Sequence, residues 1–182
     1  LVAAVAVCAG CGGEQDQEAP GMRGPLVFRV WNAKDRAAGA PPTIIRADSV
    51  RQGNADFTDL TMVPVLVRRP LPDGVVWVHA PSGTFQAIGS GPGKAEQEIA
   101  LTGPVHLTGV VRGLPVSGVA ATATVPRGTQ TLELTEVRLV RGGMVMTTPR
   151  ARLAEGALVA YGPVDMSPGS PALTAVLGAV PP

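Results

Sequence analysis

Cysteine, histidine and aromatic residues are scarce in this 182-residue chain, and each scarcity removes a class of function. The two cysteines, Cys8 and Cys11, both lie in an apolar N-terminal run, so the body has no thiol for a disulfide or for nucleophilic catalysis. His79 and His106 are the only histidines, 27 positions apart, with no HxH, HxxxH or cysteine cluster beside them. No metal site and no cofactor are expected on that pattern. Aromatic residues make up 3% of the chain against 45% hydrophobic overall, so its core must be aliphatic. The formal net charge is +1 with no basic block, which leaves no electrostatic footprint for nucleic acid. No segment carries a sustained helical period with caps, so helices are excluded from the body.

Catalytic groupings are missing as well. No nucleophile elbow surrounds Ser49, Ser82, Ser117 or Ser167. Glu133 and Glu136 alternate with apolar residues and read as a solvated face. The glycine-rich stretch Gly89–Lys94 lacks the Lys-Ser/Thr and the helix that a phosphate cradle requires, and reads as a turn. The chain is therefore expected to be non-enzymatic.

What is abundant is alternation. Ile99–Leu107 and Leu132–Leu139 each place branched apolar residues at near-alternate positions, the mark of a strand with one buried face. Between them Val119–Val125 is a strand of small and β-branched residues. A pair of this kind (small-residue strand, turn, aliphatic strand) recurs in four rough copies, about 25–35 residues apart. The 23 glycines and 18 prolines punctuate these segments as turns. Strands are expected at 43–50, 60–68, 75–80, 98–108, 116–125, 131–140 and 157–166, with shorter ones at Leu26–Trp31, Gly83–Ile88 and Met144–Met146 and a hairpin signal at Asp73-Gly74.

The aliphatic strands share an irregularity. Leu132 and Leu134 lie on one parity, Val137 and Leu139 on the other, so all four point inward only with an offset, expected as a bulge at Thr135-Glu136. Leu60 and Met62 against Val63, Val65 and Val67 show the same switch around Pro64, a position that suggests a bulge or an edge. Gly103-Pro104 and Gly162-Pro163 occupy the matching place in the other copies. A discontinuity recurring at one level would let a sheet bend or change partners there. His106, set between Val105 and Leu107, is expected to face solvent or a sheet rim.

The N-terminus is different material. Residues 1–11 are apolar and read as the end of a secretory signal peptide, with Ala9-Gly10-Cys11 resembling a lipobox that would be acylated at Cys11. A plain signal peptide or a single membrane anchor are the alternatives, and all three place the body outside the cytoplasm. Residues 12–24 read as a flexible linker and 25–182 as one β domain, whose final stretch Ala172–Val180 is either a last strand or a docked tail.

The strand Trp77-Val-His-Ala80 with Gly83-Thr-Phe85, the unit Ile99–Leu107, then Val119–Val125, Leu132–Leu139 and Ala151–Gly156 together resemble the LptC/LptA (OstA-like) family of lipopolysaccharide export. The resemblance covers roughly residues 25–166. It implies a twisted, V-shaped antiparallel β jelly roll built of repeated strand pairs. It also implies a periplasmic, membrane-anchored, non-enzymatic component that binds lipopolysaccharide or a similar glycolipid and docks to other export proteins through strand edges. Which membrane carries the anchor stays open. On this reading Val105, Leu107, Val137, Leu139, Val164 and Met166 would line an apolar groove for acyl chains, with Gly118, Ala121 and Ala123 leaving room in it. Alternation alone does not separate such a groove from a filled core. A surface or periplasmic lipoprotein with a filled β-sandwich, binding protein or polysaccharide, is the alternative.

The lipobox reading carries its own test. Replacing Cys11 with alanine should release the protein from the membrane fraction and change its gel mobility; unchanged partitioning would favour an uncleaved anchor.

Overall fold

The structure is a computed structural model, and it describes residues 4–5, 22–30, 39, 41–53, 59–88, 96–126, 131–154 and 157–169. The segment around Cys11, residues 12–21 of the expected linker, the 89–95 turn and the Ala172–Val180 stretch lie outside the described residues.

Among the described residues the chain is all-β and antiparallel, with no helix. Its strands are β1 (Ala4–Val5), β2 (Met22–Arg23), β3 (Leu26–Val30), β4 (Thr43–Gln52), β5 (Asp59–Leu71), β6 (Gly74–Ala80), β7 (Ser82–Ile88), β8 (Glu96–Val111), β9 (Leu114–Val125), β10 (Leu132–Arg141), β11 (Met144–Ala154), β12 (Ala157–Tyr161) and β13 (Asp165–Pro168). They form one long sheet in the order β1-β3-β4-β5-β6-β8-β9-β10-β11-β12, with β2 on β4, β7 on both β5 and β8, and β13 on β11. Met22 and Arg23, at the end of the expected linker, pair with Arg51 and Val50.

Six long strands, β4, β5, β8, β9, β10 and β11, run through two halves of this sheet. The halves are separated by a line where side-chain parity changes. Buried inward residues are Ala47 then Val50, Met62 then Val65, Leu101 then Val105, Ala120 then Ala123, Leu134 then Val137, and Thr148 then Ala151. Strict alternation cannot produce a step of three, so β4, β5, β9, β10 and β11 interrupt their pleat at this level, while β8, with a step of four, keeps its sequence parity and takes up an extra residue there.

The residues on the line explain how. Pro64, Pro81, Pro104, Pro149 and Pro163 fall on it, each lacking a backbone donor that a regular ladder would need. In β8 the register shifts between Thr102 and Val105, so Gly103-Pro104 is a bulge, with Gly103 at φ 88°. The expected bulge at Thr135-Glu136 is not one. The pairing of β10 with β9 and with β11 keeps one register on both sides of it. The parity instead flips because Glu136 takes a left-handed φ of 48° while β11 bends with it at Pro149. Pro64 likewise leaves the β4–β5 register unshifted, and β5 is an interior strand, not an edge.

The expected single strand over 157–166 divides for the same reason. Gly162, at φ 93°, and Pro163 end β12 against the second half of β11, and β13 then pairs with its first half. β6 and β7 divide the same way around Pro81, pairing with opposite halves of β5 and β8.

Hydroxyl side chains add cross-strand hydrogen bonds along the line. Ser49 Oγ donates to the Val63 carbonyl at 2.9 Å. Ser82 and Thr102 share a hydrogen bond at 2.8 Å, and Thr122 and Thr135 one at 2.6 Å. The buried Thr148 hydroxyl lies 3.1 Å from the Arg150 carbonyl oxygen and 3.2 Å from that of Tyr161, where β12 leaves the ladder. Two of the serines weighed in the sequence as nucleophiles, Ser49 and Ser82, are thus cross-strand ties.

Proline rings and glycines interlock across neighbouring strands. A Cβ at Gly103 would sit 2.5 Å from Pro81 Cγ, and one at Gly162 would sit 3.0 Å from Pro149 Cγ. Gly103→Ala therefore meets both a steric contact and a left-handed backbone. It should cost about 1–3 kcal/mol in urea denaturation, with the sheet signal in circular dichroism retained.

Candidate functional site

The two half-sheets turn their apolar faces toward each other and share one buried cluster. Phe28 on β3 and Phe85 on β7 stack across them, ring centroids 5.1 Å apart and planes 15° from parallel. This contact joins the two halves, because Phe28 pairs with Ile45 in one half while Phe85 pairs with Leu60 and Ile99 in the other.

Four of the six residues expected to contact lipid lie deep in that interior. Val105 is 0% exposed, Leu107 3%, Val137 0% and Leu139 2%. The other two lie at the opposite end from the phenylalanines: Val164 sits in the corner between β12 and β13 at 42% exposed, and Met166 on β13 at 63%. Met166 pairs with Met146, which pairs with Leu139, so it continues the same inward row to the sheet edge. Met144, 38% exposed, lies two residues before Met146 on the same face. The interior thus runs out into partly exposed methionines on the β13 side.

The small residues play a different part from the one expected. A Cβ at Gly118 would lie 2.3 Å from Leu139 Cδ2, so Leu139 fills the space that Gly118 leaves. Ala123 is fully buried and inward, whereas Ala121 lies on the bend and is half-buried.

The outer face carries a histidine pair beside a small buried apolar cluster, Val140 and Val145 with Val119 packed against them. His79 and His106 are directly paired across β6 and β8, rings tilted by 35° with centroids 6.5 Å apart, both half-buried on the face away from the core. Trp77 lies under the Arg68 guanidinium, 5.7 Å from ring centre to Cζ. Glu133 and Glu136 are exposed. Among the described residues no group of three or more His, Cys, Asp or Glu is placed to hold a metal ion.

Two arginines not legible as site residues in the sequence lie on the inner face. Arg69 is 8% exposed, and Arg141 is half-buried with its Nη2 donating to the Val111 carbonyl at 3.2 Å. A signal for them existed. Arg69 follows Val67 by two positions and Arg141 follows Leu139 by two, so each extends an inward row, and charge disguised that parity.

Packing this tight makes truncation costly. Leu139→Ala removes side-chain atoms that fill the space over Gly118, and should destabilise the domain by about 2–5 kcal/mol in chemical denaturation. No protein-family model matches this chain and no curated protein matches it, so the comparisons assign it to no family.

Proposed function

We propose that this protein is a non-enzymatic periplasmic carrier of lipopolysaccharide or a similar glycolipid. It holds acyl chains between the facing halves of its sheet and passes them on through its strand edges to other export proteins. The observation that carries this reading is the continuity of the apolar interior. The buried row through Leu139 leads without a polar break to Met146 and Met166 at the β13 edge. Acyl chains need such a surface, free of polar groups on its floor. They also replace aliphatic contacts between the half-sheets with chemically equivalent ones, so exchanging protein contacts for lipid contacts costs little dispersion energy. Methionines suit the entry because the unbranched thioether adapts to a changing neighbour. The resemblance noted in the sequence supports the same reading, together with a membrane tether at Cys11.

A second reading has its own observation. Burial of Val105, Leu107, Val137 and Leu139 to 3% exposure or less describes a filled core. A filled sandwich acting as a lipoprotein module that binds protein or polysaccharide would look the same.

In-cell photo-crosslinking separates the two. A photoreactive residue at Val105, Leu107, Val137, Leu139, Val164 or Met166 should capture glycolipid, with far less capture from the outward His106 or Arg138. Normal folding with no adduct at any of the six positions would defeat the carrier and leave the binding module.

A further inference from the structure

The two inner-face arginines belong to a single rung. Arg69 pairs with Val76, Val76 with Gly109, Gly109 with Val116, Val116 with Arg141, and Arg141 with Met144. This rung is next to the hairpin tips at 71–74, 111–114 and 141–144, the end of its half-sheet farthest from the bend. It therefore borders the mouth of the space between the halves, with Leu139 and Leu107 one step further in.

Arg141 is placed unusually for a surface arginine. Its Nη2 donates to the carbonyl of Val111, two strands away, so the side chain lies across β9. Two strand spacings are about 10 Å, which an arginine covers only when extended along the sheet. Its Nε is buried and has no hydrogen-bond acceptor among the described residues. A neutral carbonyl satisfies one donor and does not balance the charge. A buried guanidinium is stabilised when an anion meets its planar fork, and phosphate or carboxylate matches that fork with two parallel bonds.

We propose that Arg141 binds the phosphate or carboxylate headgroup of an anionic amphiphile whose acyl chains enter the apolar interior. This assignment rests on the carrier reading above and adds to it the headgroup charge and the place where it is held. The polarity is fixed by the fold. Charge sits at the rim and aliphatic surface lies inside it, so the amphiphile enters tail first and stops when its anion reaches Arg141.

The test is a titration of the full chain with three soluble probes: dihexanoyl phosphatidic acid, the neutral dihexanoylglycerol, and inorganic phosphate. Phosphatidic acid should bind more tightly than dihexanoylglycerol and shift the Arg141 Nε–H resonance. Arg141→Gln should weaken phosphatidic acid roughly tenfold or more while leaving dihexanoylglycerol unchanged. Arg141→Lys, which keeps the charge and loses the fork, should fall between. Equal affinity for the two lipids in the native chain, or an unmoved Nε–H resonance, overturns the headgroup assignment and leaves the acyl-chain reading standing. Inorganic phosphate binding as tightly as phosphatidic acid would make this a free-anion site and overturn the amphiphile. Binding of neither lipid defeats the assignment and the carrier reading together. Should Arg141→Gln fail to fold, the lipid comparison and the resonance of the native chain decide the matter.

Discussion

The bend that crosses every long strand at one level is the constraint on which the rest of the structure depends. A flat sheet of aliphatic strands this long would expose one whole face to water, at a cost of about 25 cal/mol for each Å² of apolar surface. Folding the sheet back on itself buries that face without helices and without a second chain segment. The cost falls on the ladder, because six strands must depart from a regular pleat together. Prolines at 64, 81, 104, 149 and 163 supply the breaks where a backbone donor is least needed. Serine and threonine hydroxyls tie the strands again at the same level, two of them to backbone carbonyls and four to one another in pairs. One consequence is that residues which look polar and chemically available in the sequence are structural here.

The bend also decides what kind of core is possible. Inward positions come in short runs on either side of it, so the interior is assembled from valine, leucine, isoleucine and alanine on facing half-sheets. With few aromatics to fill volume, close approach has to come from fitted pairs such as Leu139 over Gly118. Such a core is tight where strands are central and loosens toward the β13 edge, where the last inward side chains are methionines with water on one side. The Phe28–Phe85 stack works in the opposite sense at the other end, since a pair of rings in contact holds the two half-sheets together.

Much of this was legible in the sequence because period-two alternation is a strong signal when the apolar residues are branched. The strands over 43–50, 75–80, 116–125 and 131–140 are present within a few residues of their expected ends. The parity switch was legible too, as was its recurrence at one level. Its mechanism was not: Ile99, Leu101, Val105 and Leu107 keep one parity, so the residue inserted at Gly103-Pro104 leaves no offset to read, whereas at Glu136 the offset comes from one residue turned left-handed with no insertion. The division of 157–166 is hidden because Gly162-Pro163 reads as an irregularity inside a strand, although Pro81 likewise separates two strands. For the candidate site, alternation identified Val105, Leu107, Val137 and Leu139 as inward. It carried no information on how closely the halves approach, since that depends on contacts between strands distant in sequence. Arg69 and Arg141 stayed hidden because a charged residue ending an apolar row is normally read as the point where the strand meets water.

The divided edge bears on how a neighbour would dock in the proposed transport. An exposed edge strand is a general template for pairing, and proteins commonly blunt it with short strands and prolines. Here the edge consists of two short strands, β12 and β13, set on either side of Gly162-Pro163. A straight incoming strand can add to one of them but not to both, because the pleat changes face at the corner. A strand that adds along the whole edge must break its own pleat at the same level, and that is a property of the long strands of this fold. Strand addition across both halves would therefore select a partner with the same bend, and would line up its apolar interior with this one past Met146 and Met166. The feature that protects the edge against indiscriminate pairing is the one that would make pairing with a like-folded neighbour specific.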